Sequence, residues 1–143
     1  MFNEKIKSYF MLFPDINPIE DKIYEFKNIV EKALGIEIVD LFVNNRIGSN
    51  DIPQFESLWF FSDDYAIECK QFLTQTNFDY SKREDMFRLE FTVDHFNFEN
   101  YSSRSRLKID GVDKYRFQYM FIASGSNCKK LFDVYKEFYS GVI

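Results

Sequence analysis

The sequence predicts an α+β fold: about seven mainly antiparallel strands in a strongly curved sheet or small barrel, with an N-terminal helix and a closing C-terminal helix. Three observations carry this reading. Asn17-Pro18-Ile19-Glu20 reads as a helix start, and apolar residues follow it at spacings of three and four. Between residues 36 and 123, short runs alternate apolar with polar residues and are separated by turn signals. After Ser124-Gly125-Ser126-Asn127 the apolar period becomes helical again.

The 143 residues suit one domain, divided into an N-terminal arm (1–16), a helix (17–34), a β-sheet (36–123) and a C-terminal helix (126–140). Aromatic residues make up 20% of the chain and Phe alone occurs 18 times, which excludes a disordered chain and points to a core of large flat side chains. The net charge of −5 is unevenly placed: residues 1–100 carry 10 basic against 19 acidic side chains, and residues 101–143 carry 8 against 4. An acidic total argues against wholesale nucleic-acid binding, which needs clustered cations. Cys69 and Cys128 are too few for a disulfide scaffold, and buried free thiols in a cytoplasmic protein are expected. Lys5 and Lys7 interrupt the start of the chain, so no signal peptide is read there, and no run is long enough to span a membrane.

In the arm, Phe2, Ile6, Phe10 and Phe13 recur near every fourth residue, as in a short helix or docking segment, the alternative being that its apolar face holds a second copy. Asn17 is the expected cap of the next helix, Pro18 its first residue, and Gly35 its end. Residues 36–43 are apolar on both faces, as in a covered strand. Asn44 to Glu56 reads as a long polar loop. Leu58 to Phe61, the turn Ser62-Asp63-Asp64 and the alternation from Tyr65 to Lys70 make a hairpin. Thr74 to Asp85 reads as a second polar loop. Phe87, Leu89, Phe91 and Val93 then share one face, and the apolar phase slips at Asp94-His95, where a turn or bulge is expected before Phe96 and Phe98.

The last hairpin is placed with Arg104 to Ile109 as one strand, Asp110-Gly111-Val112-Asp113 as the turn, and Tyr115 to Phe121 as the return strand. Matching the apolar faces requires a loop with an odd number of residues. Arg104, Arg106, Lys108, Lys114 and Arg116 then gather on the other face, either neutralised by carboxylates or open to a ligand. Seven antiparallel strands finished by a C-terminal helix resemble the pleckstrin-homology arrangement over residues 36–140. The resemblance is architectural and rests on no sequence motif. Trp59 stands on an early strand, whereas many such domains carry a tryptophan in the closing helix.

No catalytic constellation emerges. His95 is the lone histidine, and on a strand its neighbour Asp94 would point to the opposite face. No metal or cofactor motif is present. The segment Ser124 to Lys130 offers glycine, hydroxyls and lysines at a helix start, which helix capping also explains. Phe96, Phe98 and Tyr101 offer stacking surfaces that core packing explains equally well. The expected function is a non-enzymatic protein-interaction domain, for instance an inhibitor or immunity-type protein, whose acidic loops (Asp51, Glu56, Asp79, Glu84, Asp85) dock on a basic partner. The alternative is a small-anion or phospholipid-headgroup module using Arg104, Arg106, Lys108, Lys114 and Arg116, with Lys129.

Overall fold

The computed structural model describes residues 3–47, 53–74, 77–95 and 102–138. Asp51, Phe2, Phe96, Phe98, Tyr101 and Tyr139 lie outside them. Helix α1 spans Glu4–Leu12 and is capped by Asn3, whose Oδ1 accepts from the Lys5 N–H at 2.8 Å. Its apolar face is not left for a second copy: Ile6, Tyr9, Phe10 and the following Phe13 are buried in the chain's own core. Helix α2 runs Glu20–Leu34 and buries Ile23, Phe26 and Val30. The expected Asn17 cap is not used. Pro14 and Pro18 hold Pro14–Ile19 in a 3₁₀ turn, so α2 starts at Glu20, two residues after Pro18, and without a side-chain cap. It ends as expected, on Gly35 in the left-handed region (φ 63°).

Seven strands follow among the described residues: β1 (Asp40–Ile47), β2 (Pro53–Phe61), β3 (Tyr65–Lys70), β4 (Asp79–Lys82), β5 (Met86–Asp94), β6 (Arg106–Asp113) and β7 (Gln118–Ser124). Helix α3 (Asn127–Phe138) closes the chain. The strands form two antiparallel sheets, β1-β2-β3-β4 and β5-β6-β7, rather than one closed barrel. The two polar stretches read as loops contain strand. Asn44 and Asn45 continue β1 because their amides find buried partners, and Asp79–Lys82 pairs with β3 as an exposed edge strand without the alternation of a half-buried one. No helix among the described residues is long and apolar enough to cross a membrane.

Side chains, not a backbone ladder, join the sheets. Asn44 donates to the Met120 carbonyl and accepts from the Ile122 N–H, both at 3.1 Å, and the Asn45 Oδ1 accepts from the Ser124 N–H at 3.0 Å. Asn127 donates to Asn45 and to the Val43 carbonyl at 2.8 Å each, and the Tyr9 hydroxyl donates to Asn127 at 2.7 Å while accepting from the Val43 N–H at 3.0 Å. Nearby, the buried Lys130 ammonium lies 2.5 Å from Asp40. The open edge of β1 is thereby sealed, as an edge strand requires. Around this seam Phe121 of β7 packs on Trp59 with ring centroids 4.4 Å apart, and on Phe42 and Phe61 at 6.3 and 6.1 Å.

The last hairpin turns later than Asp110-Gly111. Ile109 stands opposite Phe121 and Gly111 opposite Tyr119, so the apolar faces match as expected. The loop is Lys114-Tyr115-Arg116. Asp113 Oδ1 accepts from the Tyr115 and Phe117 N–H groups at 2.9 and 3.0 Å, and Arg116 takes the left-handed conformation that closes such a loop (φ 68°). Tyr115 and Phe117 are consequently exposed rather than part of the core. Gly111 pairs within the strand, and the position calls for glycine because a Cβ there would stand 2.2 Å from the Tyr119 ring.

Candidate functional site

Moving the turn separates the basic side chains. Arg104 and Arg106 lie at the start of β6 and Lys114 and Arg116 beyond its end, roughly 23 Å apart at about 3.3 Å per residue. They do not form the single face expected from the sequence. Arg106 donates to the Ser103 and Ser105 carbonyls at 2.9 and 2.8 Å. Lys108 lies 3.5 Å from Asp110, Lys114 3.1 Å from Asp85, and Lys129 3.3 Å from Asp133. Asp85 holds the Lys114 ammonium above its ordinary pKa. Arg104 and Arg116 are exposed. At the start of α3, Asn127 and Lys130 are taken up by the seam, which explains that segment without an anion.

His95 is a surface turn residue with φ 48°, and its carbonyl accepts from the Ser105 hydroxyl at 2.8 Å. Because the chain leaves the strand there, its Nε2 comes within 3.6 Å of Asp94, a proximity that strand alternation argued against. Cys69 and Cys128 are buried free thiols, and burial pushes both up to about 12.

The acidic residues are better gathered. Past the seam the two sheets part and enclose a cavity of about 340 Å³. Trp59, Glu68 and Asp79 contribute one row of its wall, each directly opposite the next across β2, β3 and β4. Tyr119, Phe117 and Asp113 contribute from the other sheet. An adjoining hollow of about 640 Å³ shares Glu68, Lys70, Gln118 and Tyr119, and adds Glu56 and Asp110. Glu56 is also held by Arg46 at 2.6 Å. Glu84 is exposed in the 3₁₀ turn Arg83–Asp85 that follows β4.

Glu68 was not singled out from the sequence, where it reads as the wet side of a hairpin strand. That side faces the second sheet. Burial holds its carboxyl above the ordinary value; Lys70 opposes this, Asp79 adds to it, and a hydrogen bond with Ser57 opposes it. Lys70 stands 3.9 Å away and is largely exposed. Two more groups were missed. The Trp59 indole Nε1 and the Tyr119 hydroxyl, both buried, have no hydrogen-bond partner. Their pairing depends on how the sheets meet, for which local sequence carries no signal.

Fold and cleft together define an α+β protein with two antiparallel sheets and an acidic, aromatic-walled cavity between them. No family model and no curated protein matches the chain. Among solved structures, the C-terminal domain of an unknown protein from Leishmania infantum is similar at a TM-score of 0.44 and 9% identity, covering 92% of this chain and 95% of that one. A likeness at that level carries no functional argument.

Proposed function

We propose that the protein is a non-enzymatic interaction domain that docks a basic partner protein over the acidic cleft between its sheets. One observation carries the reading: Glu68 and Asp79 stand directly opposite each other on β3 and β4 and line one cavity. Like charges so placed destabilise a sheet, and a cationic partner relieves them. Glu56 and Asp110 extend the lining, although each already stands beside a cation (Arg46 at 2.6 Å, Lys108 at 3.5 Å), and Glu84 adds charge beside β4. Such a surface steers a basic partner and speeds its association, as an inhibitor or immunity-type protein requires. The buried thiols suit a cytoplasmic setting.

A four-stranded and a three-stranded sheet closed by a C-terminal helix also support a pleckstrin-homology-like relationship at the level of architecture, which constrains function weakly. Headgroup or small-anion binding is the less favoured reading, since Lys108, Lys114 and Lys129 each have a carboxylate within 3.5 Å. The test is the association rate with a lysine- and arginine-rich peptide. Replacing Glu56, Asp79 and Glu84 together by Lys slows association about tenfold at low salt and removes most of its salt dependence. Equal rates for variant and wild type overturn the reading, and retention on anionic vesicles instead favours the basic hairpin.

A further inference from the structure

We propose that the cavity between the sheets seats a single arginine side chain of the basic partner. This inference rests on the interaction reading above and adds the identity of its anchor.

Four features of the cavity converge on a peptidyl guanidinium. Glu68 and Asp79, opposite each other, place two carboxylates side by side on one wall. A planar guanidinium presents parallel donors that engage such a pair, which the point charge of an ammonium does less well. Trp59 and Tyr119 are 3% and 8% exposed, and both line the cavity. The exposed Phe117 ring provides a face on which a guanidinium stacks, with Trp59 and Tyr119 bordering it.

The unpartnered polar atoms complete the match. A buried donor or acceptor without a partner is rare and calls for an explanation. The Tyr119 hydroxyl can accept from the guanidinium, and the Trp59 Nε1–H requires an acceptor, which the arginine residue's own backbone carbonyl supplies. A free metal ion offers neither the apolar surface nor the acceptor. Among the described residues, moreover, no three carboxylate, histidine or cysteine groups converge as metal ligands. At about 340 Å³ the cavity is at the small end of ligand pockets, large enough for one long side chain and too small for a folded element.

The test titrates the whole protein with capped arginine (N-acetyl-arginine methylamide) and with its neutral isostere, capped citrulline, following the indole N–H resonance of Trp59, the single tryptophan of the chain. Capped arginine moves that resonance saturably, and citrulline binds about tenfold or more weakly because the charged hydrogen bonds are lost. Glu68→Gln, which keeps shape, weakens arginine binding to a similar degree. Equal binding of arginine and citrulline, or a motionless indole resonance, overturns the inference. A basic peptide that still binds wild type, with association slowed by the Glu56, Asp79 and Glu84 reversals but with the indole unmoved, overturns the arginine anchor alone. Absence of any basic-peptide binding overturns both readings.

Discussion

Glu68 and Asp79 face each other directly across β3 and β4, two carboxylates on one wall of a half-enclosed space, with Lys70 3.9 Å from Glu68. The arrangement works against stability, since burial raises the Glu68 carboxyl and Asp79 adds to the effect. Glu68→Gln should therefore stabilise the free protein at neutral pH by about 1 kcal/mol, or about 3 °C in a melting curve. The sign with pH is fixed. A carboxyl whose folded value is raised binds its proton more tightly in the folded state, so the wild type is penalised only where Glu68 is ionised. The gap between variant and wild type is full above the folded value and closes as pH falls through it towards the ordinary 4.5. Melting curves across that range check both size and direction.

The buried pair Lys130–Asp40 predicts an asymmetry. Lys130→Met leaves the Asp40 carboxylate buried beside the Leu41 N–H, which it accepts at 2.9 Å, and should cost about 3 kcal/mol. Adding Asp40→Asn removes the unpaired charge and restores most of that loss. Chemical denaturation of the two single variants and the double variant measures it; additive losses would contradict a coupled pair.

The seam gives a second coupled set. Tyr9→Phe strips one partner each from the Val43 N–H and the Asn127 amide and should cost about 2 kcal/mol. Asn127→Ala also unpairs the Val43 carbonyl and leaves Asn45 Oδ1 with the Ser124 N–H alone, and should cost about 3 kcal/mol. Their combination should cost less than the sum, as a denaturant-melt cycle will read.

Gly111→Ala sets a Cβ 2.2 Å from the Tyr119 ring, which has to move. A loss of about 2 kcal/mol is expected from overpacking, and the Gly111→Ala/Tyr119→Leu pair should recover part of it. Because Tyr119 lines the cavity, the single change should also disturb ligand binding, a result that a titration of the variant with capped arginine will show.

Much of the fold was legible in the sequence because its signals are local. The apolar spacing of Ile23, Phe26 and Val30 marks α2, Gly35 marks its end, and the alternation from Tyr65 to Cys69 marks β3. Turns whose chemistry depends on a distant partner were harder to read. Asp110-Gly111 has the composition of a hairpin turn, yet Gly111 pairs with Tyr119 within β6, and Asp113 caps the loop that does form. Asn44 and Asn45 look like loop residues until β7 and Asn127 supply their hydrogen bonds. The candidate site was partly legible: Glu56 and Asp79 do reach the cleft, whereas Glu68, Trp59 and Tyr119 gain their significance only from the meeting of two sheets.

The most direct test of the account is a titration of the isotopically labelled protein with an arginine-rich peptide, following the backbone amides residue by residue. The shifts should cluster on Trp59, Glu68, Asp79 and Tyr119 at the parting of the sheets. Shifts confined to Arg104 and Arg116 at the two ends of β6, or none at saturating peptide, would contradict it.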